Sequence, residues 1–462
     1  MKHTLHIFRR DLRLSDNTAL LDAMAQSGKV SVCFIFNPRQ LIEHPYRSEN
    51  GLQFMLQALE NLRREIMSYG GKLHIWLGDV ADILPQICVE NQIDAVCWNR
   101  DYTPFARVRD KQVRVALMKI ADVTEHPDAL LTEPEQIQSQ QGTPYKVYSF
   151  FARECKNYPI RRPKSFIPSV LTSLKKSKYD IDLAYIYKTY LQEKNSYVTA
   201  MGNRLEGLGI LKDIANDETY KIDRDYPNLN KTTHLAVHHK FGTISIRETY
   251  HAVYDAFKED HALINQLYWR DFYTHVAWHW PRVFTSKSWN PKYENVLWDK
   301  TPEALDRWKN GITGFPIVDA GMRQLRTTGY MHNRVRMITA CFLTKDLHIH
   351  WRAGEQHFAQ YLVDYDPCVN NGSWQWAAST GTDAQPYFRI FNPWTQQKRW
   401  DADCKYIKKW IPELRNLTPK DIHNWHKMKE GVADLFGEST YPAPMVSHRN
   451  EALDAQVRFK MV

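Results

Sequence analysis

A chain of 462 residues, 43% of them hydrophobic, has material for more than one buried core and, by length alone, for about three domains. No apolar run approaches the roughly eighteen residues of a spanning helix, and MKHTLHIFRR lacks the apolar core of a signal peptide, so a cytoplasmic protein away from membranes is expected. The net charge of +9 suits a polyanionic partner, while seven scattered cysteines without a C-x-x-C pair exclude a disulfide framework and a zinc site.

Residues 1–130 alternate short apolar runs with amphipathic stretches. LHIF (5–8), VSVCFIF (30–36), KLHIWL (72–77) and DAVCW (94–98) read as buried parallel strands. Between them, residues 51–70 place Leu52, Met55, Leu56, Leu59, Leu62 and Ile66 on one helical face, with Gly70 and Gly71 as the stop. The run from Pro104 behaves in the same way. Such alternation predicts a doubly wound, Rossmann-like α/β domain over 1–130, which takes ligands outside the carboxyl ends of its strands. It contains no G-x-G-x-x-G, which argues against a nicotinamide-type site.

Residues 131–199 turn to proline, lysine and serine, as in RRPKSFIPSVLTSLKKSKYD (161–180), and read as an interdomain connection over the surface. From 200 to 462 the periods are helical, as in 246–257, 261–278, 319–348 and 354–365, which predicts an all-α domain. Of fifteen tryptophans only Trp76 and Trp98 precede residue 260, so whatever needs large π-faces lies in this half. The densest stretch, NNGSWQWAASTGTDAQPYFRIFNPWTQ (370–396), is poor helix-forming material by composition, so its conformation must come from its surroundings.

Together with TTHLAVHHKFGTIS (232–245), NQLYWRDFY (265–273), GFPIVDAGMRQL (314–325) and MHNRVRMITACFLTKDLHIHWRAGE (331–355), that stretch resembles the photolyase and cryptochrome family. The resemblance is strongest to class I cyclobutane pyrimidine dimer photolyases and extends over nearly the whole chain. It implies an FAD-binding helical domain at 200–462. Tyr220 and the segment Thr232, Thr233, His234, Leu235 and Ala236 match the family residues that contact the flavin's phosphates, with His234 where many members carry a fixed arginine charge. Arg270, Arg336, Asp364 and Asp366 match cofactor-side positions, though a buried Arg and Asp serve equally as a structural ion pair. Asn370 matches the residue facing the reactive ring nitrogen, where a neutral amide suits a flavin that becomes anionic on reduction. Plant cryptochromes carry aspartate there.

The resemblance also assigns an electron path and a lesion cavity. Trp374, Trp351 and Trp298 match a tryptophan triad that runs from flavin to surface, with Trp308 as the nearest side branch. Trp269 and Trp376 match the pair that sandwiches a dimer turned out of the duplex, and Asn333 and Met337 match positions lining its other faces, where six-four photolyases place histidines. Gln266 departs from the pattern, since cyclobutane enzymes typically carry glutamate there to bond the dimer's base edge. Gln266, Asn333, Met337 and Asn370 are thus the candidate catalytic residues. Arg224, Arg334 and Arg389, with Arg270, match positions that meet DNA phosphates or the cavity mouth.

In the α/β domain Arg9, Arg10, Asp11 and Arg13 follow the first strand, where relatives hold a second, light-harvesting chromophore. Folate-binding relatives use an Asn-Glu pair where this chain has Phe105 and Ala106, which favours deazaflavin or FMN over folate. The implied activity is light-dependent repair of cyclobutane dimers by an electron from photoexcited reduced FAD. A cryptochrome-like photoreceptor and a six-four photolyase, the latter on the strength of Gln266, are the alternatives. Damaged DNA is the expected partner, a monomer suffices, and no metal or obligate protein partner is expected.

Overall fold

A computed structural model describes every residue except 43, 168–170, 215, 259, 428–431 and 434–439, so three residues of the 161–180 run lie outside the described residues. The chain packs as two compact units that interleave along the sequence. The first comprises Met1–Asp217, Thr233–Pro281 and Asp364–Cys368, and the second Glu218–Thr232, Arg282–Val363 and Val369–Val462.

The first unit is built on a five-stranded parallel sheet of β1 (His3–Phe8), β2 (Lys29–Phe36), β3 (Leu73–Leu77), β4 (Ala95–Asn99) and β5 (Asp122–His126), in the order β3-β2-β1-β4-β5. In register, Ile7 sits opposite Cys33 on one side and Trp98 on the other. Helices cover the sheet, and the continuous apolar runs of β1, β2 and β4 are what such burial requires. Leu5, Ile7, Cys33, Val96 and Trp98 pack with Ile83, Leu84, Val113 and Leu117 of the helices Val80–Asn91 and Pro104–Leu117. Each covering helix starts at a side-chain cap: Asn17, Ser48, Asp79 and Thr103 accept backbone N–H groups of Leu20, Gly51, Ala81 and Ala106. Helix Glu49–Ser68 buries Leu52, Leu56, Leu59, Leu62 and Ile66 as the spacing predicts, and Gly70, at φ +77°, follows its end.

The fifth strand, DVTEH, was not legible in the sequence. It is an edge strand with polar, half-exposed residues, so burial never imposed an apolar pattern on it. The stretch 131–199 has two helices of its own, Tyr148–Cys155 and Leu183–Tyr190, and is pinned to the edge of the sheet. Trp76 Nε1 donates to Asp180 at 2.9 Å and Ile181 N to Ile75 O at 3.0 Å. Helices Leu235–Phe241, Ile246–Phe257 and Ala262–His279 complete the unit, the second of them opened by a capping box of Ser245 and Glu248.

The second unit is largely helical, with one short antiparallel pair, Val432–Ala433 with Thr440–Tyr441. Its helices include Pro302–Asn310, Pro316–Thr328, Asn333–Cys341, Trp351–Tyr361, Pro393–Trp400 and His448–Lys460. Proline opens three of these, where its missing N–H costs nothing. The helical period over 319–348 resolves into two helices, broken at Gly329 (φ +66°), followed by a π-helical turn at Phe342–Asp346. Helix Pro367–Ala377 forms in spite of its Asn, Gly and Trp content. Tertiary bonds override propensity there: Asn370 Nδ2 donates to Glu355 O at 3.0 Å and Asn371 Nδ2 to Val283 O at 3.1 Å.

Candidate functional site

At the carboxyl ends of β1 and β4, where the strand order reverses, the first unit gathers Arg9, Arg10, Asp11, Asn99, Arg100, Asp101 and Tyr102 around a small cleft. A neighbouring hollow of about 230 Å³ is lined by Arg100, Arg107, Lys111, Arg114, Glu125 and Trp278, with the Arg107 guanidinium 4.2 Å over the Trp278 ring. Arg13 belongs to neither. It is buried and donates to Asp128 at 2.6 Å; Arg247 holds the other oxygen of Asp128 at 2.6 Å and Asp16 at 2.8 Å. Burial alone would raise the Asp128 pKa, but Arg13 and Arg247 overcome it and hold the carboxyl well below the usual range. This network is structural.

Arg10 likewise points away from a ligand role. It pairs with Asp366 Oδ2, while Asp366 Oδ1 accepts Cys368 N at 2.9 Å. Both oxygens of Asp366 are thus engaged in anchoring the start of the helix that carries Asn370, with Asp101 and Lys240 close by. Burial, with Arg10 adding to it, lowers Lys240 to about 8.

Helix Ala262–His279 presents Gln266, Trp269 and Arg270, all half-buried. Trp269 lies flat against Tyr148, with centroids 3.7 Å apart and planes at 9°, and the Tyr148 hydroxyl donates to Asn265 O at 2.7 Å. Gln266 Nε2 reaches Ala262 O at 3.4 Å. Arg270 donates to Ala129 O at 2.5 Å and faces Asp271 at 3.6 Å. Burial raises Asp271 to about 7, against the pull of Arg270 and the Leu131 and Thr132 amides. In Thr233–Ala236, His234 adopts φ +54° ahead of helix Leu235–Phe241 and Leu235 N bonds Thr233 Oγ1 at 3.4 Å; Ala236 is exposed.

Asp364 also lies in the first unit, and the second holds the remaining residues. Tyr220 is buried with Arg224 over its ring at 6.0 Å, and Thr232 Oγ1 bonds the Tyr330 hydroxyl at 2.8 Å. Arg336 Nε donates to Met331 O at 2.7 Å. Asn333 and Met337 stand one helical turn apart and touch, Nδ2 to Sδ at 3.7 Å. Arg334 pairs with Asp225 at 2.7 Å and stacks 4.5 Å over Trp400, which ties up part of its charge, whereas Arg389 is exposed. Trp376 is half-buried beside Phe391. Trp351 and Trp374 are buried and Trp298 is half-buried. Trp374 packs against Phe358 and Trp308, with centroids 4.9 and 6.1 Å away, and against Gly354, where an added Cβ would lie 2.1 Å from the indole. Trp298 and Trp351 share one neighbour, the ring of His350.

Two contributors went unnoticed in the sequence. Tyr148 gave no signal, because its partner Trp269 is 121 residues away. His350 stands beside Trp351 in HIHWRAGE, and its place at a helix start was the available clue. The donor set suits a flavin: Asn370 is buried and neutral, and with one N–H given to Glu355 O its amide retains capacity for a further partner.

The comparisons agree over the whole chain. Residues 4–166 match the DNA photolyase family and residues 263–461 match the FAD binding domain of DNA photolyase. The chain is 39% identical to the deoxyribodipyrimidine photo-lyase of Halobacterium salinarum, covering 98% of each, and 36% identical to that of Alkalihalophilus pseudofirmus, covering 98% of this chain and 97% of the relative. A solved archaeal photolyase from Sulfolobus tokodaii, with two FAD molecules, superposes over 100% of both chains with a TM-score of 0.89 at 36% identity. The chain belongs to the DNA photolyase family, with an N-terminal parallel α/β domain and a largely helical FAD-binding region.

Proposed function

We propose that this chain is a light-driven DNA-repair enzyme that splits cyclobutane pyrimidine dimers, the activity named for its deoxyribodipyrimidine photo-lyase relatives. The observation that carries the reading is full-length similarity to those enzymes. When bound and reduced, FAD supplies the electron that light promotes onto the dimer and receives it back after the ring opens. The chain's residues bind, orient and exclude water.

Tyr220 and Thr232–Ala236 bind the phosphates, Arg336 and Asp364 flank the ring system, and the Asn370 amide meets it without adding charge. Asp366 acts through the helix start it caps. Trp269, backed by Tyr148, and Trp376 receive the flipped bases, with Asn333 and Met337 on the other faces and Gln266 at the base edge. Arg224, Arg270, Arg334 and Arg389 meet phosphates without reading sequence, so affinity falls steeply with salt. Trp374, Trp351 and Trp298 refill the cofactor with electrons. The Trp351 indole N–H has no hydrogen-bond acceptor among the described residues, so an oxidised Trp351 keeps its proton and passes the charge outward. A flavin-class second chromophore belongs to the first unit, in keeping with the two FAD molecules of the Sulfolobus enzyme. The enzyme works as a cytoplasmic monomer on damaged DNA; no helix among the described residues is long and apolar enough to cross a membrane.

Gln266 supports a second reading, repair of six-four lesions. The test is purified, photoreduced protein on oligonucleotides carrying one thymine cyclobutane dimer or one six-four lesion, in light and in darkness. Light-dependent loss of the cyclobutane dimer alone is expected. Six-four repair alone supports the second reading, and repair of neither, with flavin still photoreduced, supports a photoreceptor.

A further inference from the structure

The ring shared by Trp298 and Trp351 is His350. Its centroid lies 5.4 Å from Trp298 at 66° and 5.4 Å from Trp351 at 29°. At the start of helix Trp351–Tyr361 its Nδ1 accepts the Arg352 N–H at 3.1 Å, which fixes the ring's direction and leaves any single proton on Nε2. Burial, helped by Arg352, lowers its pKa to about 4, so the imidazole is neutral near pH 7. The charges around it are paired: the Arg352 guanidinium, 5.8 Å over the Trp351 ring, faces Glu355 at 3.4 Å, and Asp299, next to Trp298, is bound by Arg458 at 2.6 Å.

We propose that His350 is a positioning residue of the electron path, an uncharged ring that sets the spacing of Trp298 and Trp351 and keeps positive charge out of the gap they share. The inference rests on reading Trp374, Trp351 and Trp298 as that path. In photoreduction Trp374 gives one electron to the light-excited oxidised flavin, Trp351 refills Trp374, Trp298 refills Trp351, and a thiol in solution refills Trp298. Within the protein no covalent bond changes and each transfer moves one positive hole outward by one ring, while the thiol gives up its S–H proton to the buffer with the electron and its sulfur ends as disulfide. A further fixed cation beside Trp298 and Trp351, without a carboxylate such as the Glu355 that faces Arg352, raises the energy of a hole on either, so the hole stays on Trp374 and recombines. A neutral aromatic ring does not.

The experiment follows flavin absorbance in the FAD-loaded enzyme under blue light with dithiothreitol, at matched FAD content and thermal midpoint. His350→Phe, neutral and aromatic, is expected to photoreduce within about twofold of the unaltered protein, and His350→Arg at least about tenfold more slowly, the rate effect of a barrier near 1.4 kcal/mol. His350→Lys carries the same charge should the arginine variant not fold. Chemically reduced protein should repair equally in all variants. An arginine or lysine variant as fast as the unaltered protein, or a phenylalanine variant as slow as the charged ones, overturns the proposal. Trp351→Phe separates the two levels: if it photoreduces normally, the path reading itself fails, and if it is blocked while the His350 series is flat, only the role of His350 fails.

Discussion

Two regions treat buried polarity in opposite ways, the Asp128 network of the first unit and the tryptophan row of the second. At the sheet edge of the first, charged groups answer one another: Arg13 and Arg247 clasp Asp128, and Arg247 and Arg161 meet Asp16. In the second, Trp374 packs against Trp308, Phe358 and Gly354, Trp298 and Trp351 against the ring of His350, with Arg352 5.8 Å over Trp351, and the Trp351 N–H has no partner among the described residues. A satisfied ionic network holds a shape but resists gaining or losing charge. Weakly solvated aromatic rings bind little, yet let a charge pass, because no hydrogen-bonded shell must reorganise around it.

Substitutions at each end test that contrast. Trp351→Phe should slow flavin photoreduction by about two orders of magnitude, a barrier near 3 kcal/mol, while light-driven repair by chemically reduced enzyme is retained. Equal loss of both would place Trp351 in the cofactor pocket and remove the contrast. In the first unit Asp128→Ala leaves the buried Arg13 guanidinium without a carboxylate partner and Arg247 with Asp16 alone, and should cost about 3–5 kcal/mol in urea unfolding. Because Asp128 has a depressed folded pKa, its contribution is present above the unfolded value near 3.9 and is lost as pH falls below it, so the deficit should shrink in acid.

Lys345, also in the second unit, is a fully buried amine that donates to Ala378 O at 3.2 Å and sits 3.5 Å over the Phe459 ring. Burial lowers it to about 7, so holding its proton destabilises the fold below that pH. Between about 7 and the unfolded value near 10.4 the unfolded chain binds more protons and stability rises with pH. Lys345→Met should therefore stabilise by about 1–3 kcal/mol at neutral pH and lose that advantage near pH 10.5, as thermal unfolding across pH would show. The Phe459 contact offsets part of the gain. The smallest effect belongs to Gln266→Glu, expected to raise repair yield per absorbed photon by no more than about twofold through a stronger bond to the dimer's base edge. An unchanged yield would remove Gln266 from the list of handicaps.

How much could be read beforehand depended on whether burial left a pattern. Helix Glu49–Ser68 was legible because its apolar face repeats at 3.6 residues, and β1 to β4 because both faces are buried. The edge strand Asp122–His126 and the break at Gly329 carried no such pattern. Site residues were legible as motifs rather than as geometry. Arg10 sits among the residues expected around a second chromophore, yet its guanidinium goes to Asp366, 356 residues on.

By itself the sequence determined the class of protein: strand and helix periods follow from local burial, and ordered motifs such as NNGSWQW survive without coordinates. Only the tertiary structure decided which side chains are already engaged. Pairings such as Trp269 with Tyr148, Asp366 with Arg10, and Trp298 and Trp351 with His350 depend on how distant segments pack or how a turn is directed. Local periodicity records that a residue is buried, and not what it meets there.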